Sequence, residues 1–220
     1  SACDDATCES HEKGVFETTD DDGTSYYYRG SVENNYVYFA NRYWRIIRIN
    51  GDGTIRMIYD GTTAHPNGEA SEDRQVGTSA YNTSRNDNAY VGYMYGTTGS
   101  SSYEETHANT NDSTIKTVVD NWYKTNIEEA GYASYISDTL FCNDRSFASN
   151  NTGTGAGISR TYYRWYNGPW KSGTNKTNPR LMCKEQNDKF TLEDTQMGNG
   201  DLTYPVGLLT TDEAALAGGY

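Results

Sequence analysis

Between Tyr26 and Tyr59 the chain strings together four runs of aromatic and β-branched residues, joined by three short connectors bearing Gly or Asn. The runs are Tyr26-Tyr27-Tyr28-Arg29, Tyr36-Val37-Tyr38-Phe39, Tyr43 to Ile49 and Thr54 to Tyr59. The connectors are Glu33-Asn34-Asn35, Ala40-Asn41-Arg42 and Asn50-Gly51-Asp52-Gly53. Such side chains suit a pleated, half-buried surface, and Gly and Asn tolerate the positive φ that tight turns demand. The spacing predicts an antiparallel meander over residues 26–59.

Polarity alone argues against folding: hydrophobic content is 35% and mean hydropathy is -0.86. Disordered chains, however, lack aromatics, and this one carries 20 Tyr, 5 Phe and 4 Trp. Tyr combines apolar area with a polar tip, so it can cover a wet β-surface. A length of 220 residues fits one large domain or two small ones. The net charge of -12, with acidic residues crowded into the first 33 positions, disfavours nucleic acid and anionic lipid as partners and favours solubility. No run approaches the roughly 18 apolar residues of a membrane span. No signal peptide precedes Ser1, so the chain reads as mature or as one whose targeting segment has been removed.

Residues 1–24 read as an acidic N-terminal segment with a cysteine loop (Cys3, Cys8) and the turn Asp20-Asp21-Asp22-Gly23; residues 25–220 read as a single β-rich domain. Residues 60–112 are loop-dominated, with one apolar segment from Tyr90 to Tyr95. The cap residues Asn111 to Thr114 precede Ile115, Val118, Val119 and Trp122, one face of a helix over residues 113–126. Tyr132 to Cys142 suits a helical turn or a strand. Residues 148–180 form a long Gly/Asn/Ser/Thr insertion with interleaved aromatics, and loops of that length usually serve function. Thr210-Thr211-Asp212-Glu213 is a capping box that opens a helix from Asp212 to Ala217, closed by Gly218-Gly219. Because the chain stops there, truncation or completion by another segment is expected. The fold class is therefore α+β and β-dominated: an antiparallel meander, two short helices and long loops.

Recognisable catalytic motifs are missing. There is no G-x-S-x-G, H-E-x-x-H or Walker loop, and His11, His65 and His107 lie in unrelated polar contexts. Gly153 to Gly157 lacks the strand and helix that a phosphate cradle needs. Three features are candidates. The aromatic segment Tyr162, Tyr163, Arg164, Trp165, Tyr166, Asn167 and Trp170 offers flat rings for stacking on a sugar, with Arg164 and Asn167 as hydrogen-bonding partners; the alternative is that these rings fill a core. The acidic turns at Asp20–Asp22 and Asn50–Gly53 carry oxygen ligands suitable for calcium, although neither matches an EF-hand loop. Sequons stand at Asn82, Asn111, Asn150 and Asn175, and in an Asn/Thr-rich chain composition accounts for most of them. The four cysteines, Cys3, Cys8, Cys142 and Cys183, allow three pairings and suggest disulfides in an oxidising compartment rather than zinc, which would want C-x2-C knuckles.

The runs Tyr27 to Gly30, Asn34 to Ala40 and Tyr43 to Ile58, with Phe141 to Ser146 and Leu202 to Thr210, resemble a family of uncharacterised surface proteins from gut Firmicutes. Some of its members are secreted, pilin-like or repeated in long surface proteins. Gly207 to Ala215 also resembles the R-L-P-T-E-A-E-W-E segment of formylglycine-generating-enzyme-like and C-type-lectin-like domains, though its Arg and Trp are absent here. That second resemblance implies a fold of two helices and two sheets that exposes ligands on long loops. The sugar-binding motifs of calcium-dependent lectins are missing, so lectin activity does not follow from fold analogy. Together with the cysteine usage, these likenesses lead to the expectation of an extracellular or cell-surface module with Cys142 joined to Cys183. It would recognise a glycan or a host or surface protein and catalyse nothing. The alternatives are a structural subunit of a fibre or pilus that packs against copies of itself, and an oxidase of the formylglycine-generating type.

Overall fold

In the structure, a computed structural model that describes residues 13–83, 88–100, 102–143, 145–147, 161–163, 179–183 and 185–218, the aromatic runs build one five-stranded sheet. Strands β1 (Gly14–Asp20) and β2 (Gly23–Arg29) form a hairpin in register from Gly14↔Arg29 to Asp20↔Gly23. Its turn is held by Asp20, whose Oδ1 accepts hydrogen bonds from the backbone N–H groups of Asp22 (2.9 Å) and Gly23 (3.0 Å). Alternation along β2 buries Ser25, Tyr27 and Arg29 and leaves Tyr26 exposed. The polar sequence of residues 14–20 hides a strand, because its aromatic signal is Phe16 alone.

Strands β3 (Tyr36–Phe39), β4 (Arg42–Ile49) and β5 (Ile55–Gly61) complete the sheet. The β3–β4 turn places Ala40 and Asn41 at positive φ (52° and 58°), as a two-residue hairpin requires. The arrangement departs from a simple meander, because β2 and β3 do not pair with each other. They lie end to end on one edge of β4, β2 opposite Arg48 and Ile49, β3 opposite Arg42 to Arg45, while β5 takes the other edge. Asn35 fills the gap between them. Its carbonyl accepts Ile46 N–H at 2.8 Å and its Nδ2 donates to Ile46 O at 3.0 Å, so β4 keeps its hydrogen bonds where neither strand reaches. Two register shifts against β5, at Tyr43/Trp44 and Ile46/Arg48, re-aim β4. Along β4, Trp44 meets one helix and Arg48 another.

Beyond the sheet, β6 (Met94–Tyr95) leads through a four-residue helix, α1 (Tyr103–Thr106), to its partner β7 (Asn111–Asp112). Gly96 permits this return: a Cβ there would lie 1.9 Å from Glu105 O. Helix α2 (Thr114–Tyr123) starts where the sequence predicts, with Ser113 Oγ accepting from Lys116 N–H, and runs into a π-helical turn at Lys124–Glu128. Its most buried line is Lys116, Asp120, Tyr123 and Ile127, rotated from the predicted apolar face because Lys116 and Asp120 neutralise each other. Trp122 packs against Trp44 and Tyr59, with ring centroids 6.0 and 5.3 Å apart.

The segment 132–142 holds both elements the sequence allowed, a 3₁₀ turn at Ala133–Tyr135 and strand β8 (Phe141–Cys142). Strand β9 (Arg145–Phe147) pairs with β10 (Thr161–Tyr163), and β11 (Lys189–Phe190) pairs with β8. Helix α3 (Thr211–Leu216) carries the predicted capping box, with Gly218 following at φ 90°. The class is α+β with mostly antiparallel strands, and the described residues hold three α-helices in place of the two expected. Among the described residues, hydrophobic packing falls into three clusters: Tyr27 with Leu181 and Leu216; Tyr93, Met94, Phe190 and Leu202; and Ala40, Tyr123 and Ile127.

Candidate functional site

Buried arginines tie distant elements of the chain together. Arg48 reaches Asp20 (3.2 Å) and Glu213 (3.2 Å), and Arg56 reaches Glu213 (3.3 Å) while also donating to Leu140 O. One capping-box glutamate thus ties α3 to β4 and β5. Burial pushes the Glu213 carboxyl up, but Arg56, Arg48 and the Thr210 donors outweigh it and hold it below the ordinary carboxylate value. Arg29 adds bonds to Ala215 O and Leu216 O at the other end of the same helix.

The same chemistry clamps the root of the long insertion. Cys142 and Cys183 are joined as a disulfide, with Cα atoms 5.4 Å apart. Arg145 and Asp188, both with side chains fully buried, pair at 2.6 Å, and Asp188 also accepts Arg145 N–H at 2.7 Å. The remaining Arg145 donors reach Met94 O and Asn109 Oδ1. On the returning segment, Arg180 N–H donates to Asp212 and Cys183 N–H to Asp21, whose carboxylate also pairs with Lys189. A cavity between Arg48, Cys142, Arg180 and Asp212 has room for about one water molecule.

Of the residues singled out for ligand stacking, the backbone of Tyr162 and Tyr163 lies in β10, opposite Ser146 and Arg145. Part of the segment read as loop is therefore a hairpin strand. Arg164, Trp165, Tyr166, Asn167 and Trp170 lie outside the described residues, as do Cys3, Cys8, His11, Asn150, Asn175 and Gly153 to Gly157.

The two acidic turns raised for calcium are tied together by protein donors. Asp20 Oδ1 caps its own turn, while Oδ2 accepts Gly51 N–H at 2.8 Å as well as Arg48. Asp52 accepts both Thr54 N–H and its hydroxyl. Those oxygens close turns and hold one hairpin against the other. Among the described residues, no group of three or more His, Cys, Asp and Glu side chains is placed to hold a metal ion.

Two histidines that looked unremarkable in the sequence occupy defined environments. His65 Nε2 lies 2.8 Å from Asp73 Oδ1 and 3.3 Å from Thr63 Oγ1. The Ser71 hydroxyl, with Thr63 and Thr62, holds the Asp73 carboxyl well below its usual range. A catalytic triad would have a hydroxyl donate to imidazole and the imidazole's second nitrogen face the carboxylate. Here the hydroxyls converge on the carboxylate, which folds residues 61–73 back on β5. His107 is fully buried, both ring nitrogens lack a hydrogen-bond partner, and Tyr103 stands edge-on at 4.0 Å. Burial and then the neighbouring Arg145 pull its pKa down to about 3.

Sequence reasoning missed this arginine framework. Its signal was the two-residue alternation that puts Arg29 on the face of buried Tyr27. Comparison with family models, with curated proteins and with solved structures found no significant match. Among the described residues no helix is long and apolar enough to cross a membrane.

Proposed function

We propose that this chain is an extracellular binding module that presents residues 148–180 to a glycan or protein ligand and performs no catalysis. The observation that carries the reading is the clamped root of that segment: a disulfide, a fully buried Arg145–Asp188 pair and the Arg180–Asp212 bond fix both of its ends. Recognition is commonly carried by loops held on rigid scaffolds. The disulfide fits an oxidising compartment, as does the resemblance to surface proteins of gut Firmicutes.

A glycan array, run with and without calcium, tests the reading, followed by Trp165→Ala and Trp170→Ala. Both variants should lose ligand while their melting temperatures stay put. If the rings are core instead, each change should cost about 3–5 kcal/mol of stability, and a large drop in melting temperature for both retires the site. Copper-dependent oxidation of a cysteine peptide would reverse the non-catalytic reading in favour of the oxidase.

A fibre or pilus subunit is the second reading, favoured by one observation. Tyr26, Ile49 and Ile55 are exposed and stand directly across from one another on β2, β4 and β5. Such a row suits packing against another copy.

A further inference from the structure

The buried ion pairs of the sheet and the insertion root use arginine: Arg45 with Asp60, Arg48 with Asp20 and Glu213, Arg56 with Glu213, and Arg145 with Asp188. A guanidinium keeps its charge and is no nucleophile, so it is suited to a permanent pair. Lys116 breaks the pattern. Its side chain is fully buried, whereas Lys189, the other lysine paired with a buried carboxylate among the described residues, is 20% exposed. An amine differs from a guanidinium in being able to give up its proton and attack carbon.

The surroundings of Lys116 suit that chemistry. Nζ lies 2.6 Å from Asp120 Oδ2, and the carboxyl carbon is one bond beyond that oxygen. The two residues are four apart on α2, where side chains sit one above the other. Asp120 Oδ1 is buried without a hydrogen-bond partner, so this carboxylate is poorly stabilised as an anion. Burial raises the Asp120 pKa. Asp112 Oδ1 also lies 3.1 Å from Nζ, and its side chain is 38% exposed, which connects the site to solvent.

We propose that Lys116 and Asp120 condense into an intramolecular isopeptide bond across one turn of α2, with Asp112 relaying the proton. Within the ion pair one proton passes from the ammonium to Asp120, leaving an amine and a carboxylic acid with no change in net charge. Nζ attacks Cγ and forms the N–C bond. Asp112 takes the proton that Nζ sheds and returns it to the departing hydroxyl; the C–O bond breaks and one water leaves. Asp112 ends as it began. Condensation is unfavourable between free groups in water, but fixed neighbours reach effective concentrations of about 10⁵–10⁸ M. The product replaces a buried ion pair with a neutral amide, removing the desolvation that two buried charges carry.

Intact mass of the whole protein, reduced and denatured, decides the matter. The expected mass is one water below that of the sequence, with fragmentation placing the loss on a peptide branched between Lys116 and Asp120. Lys116→Arg and Asp120→Ala should each restore the full mass. Asp120→Asn should yield the same cross-link by releasing ammonia. Asp112→Asn should slow its appearance, and formation at the wild-type rate would remove Asp112 from the relay. Full sequence mass in the folded wild type overturns the bond. So does a water loss that maps instead to Asp22-Gly23, Asp52-Gly53 or Asp60-Gly61, which dehydrate by succinimide formation.

Discussion

Glu213 shows how much a single side chain carries here. It completes the capping box of α3 and neutralises two arginines from different strands. Glu213→Ala leaves Arg48 with Asp20 alone and Arg56 with no carboxylate in the described network, so stability should fall by about 3–5 kcal/mol in urea unfolding. Glu213→Gln, which keeps the shape and one acceptor, should lose less. His107 makes the complementary case. Its folded pKa of about 3 lies below the ordinary 6.5, so the unfolded chain binds the proton more readily. Stability linked to this residue is complete above pH 6.5 and is lost as pH falls towards 3. By pH ~5 the loss should be about 2 kcal/mol. His107→Phe should flatten the unfolding profile between pH ~5 and ~7, and an unchanged slope in that variant would clear His107 of the effect. Neither role was legible beforehand. The capping box announced Glu213 as a cap, but two arginines more than 150 residues away in sequence appear only once the chain is folded.

At the scale of elements, legibility followed local physics. The turn residues and aromatic runs marked β2 to β5, and the Ser113 and Thr210 caps marked α2 and α3, because those signals lie within a few residues of what they specify. The placement of β2 and β3 on one edge of β4 depends on Asn35 reaching Ile46, a tertiary contact with no sequence pattern. Strand β1 escaped because its partner, not its composition, makes it a strand. The two acidic hairpin turns illustrate such docking. Gly51 sits so close that an added Cβ would fall 2.5 Å from Asp20 Oδ1 and from Gly23 N. Gly51→Ala should therefore push the β4–β5 turn off the β1–β2 turn and lower the melting temperature, whereas Gly53→Ser, where a Cβ meets open space, tests only the φ of 85°. The disulfide acts on a longer span. With a separation of 41 residues, breaking it by Cys142→Ser should cost about 4 kcal/mol by loop-closure entropy. A wild-type chain whose mobility is unchanged by reductant would contradict the bond itself.

For the whole molecule the open choice is between a monomer that binds and a subunit that assembles. The exposed row on the sheet is the part of the surface on which the two readings disagree. Tyr26 is 44%, Ile49 37% and Ile55 54% exposed, and cross-strand partners of this kind lie about 5 Å apart, so they form one continuous neutral strip. Around that strip the molecule carries a formal charge of -12. Two copies meeting face to face must overcome that repulsion, which salt screens beyond about 8 Å at physiological ionic strength. Three apolar side chains per copy are a small return against it, since a stable interface usually buries on the order of 800 Å² per partner. The binding reading therefore predicts a monomer by light scattering at both low and physiological salt. Ile49→Lys combined with Ile55→Lys should leave that mass, and any glycan binding, unchanged. The fibre reading predicts the reverse: oligomers that grow as salt is added and dissolve in the double variant. Wild-type filaments abolished by those two lysines would move the function from the insertion to the sheet.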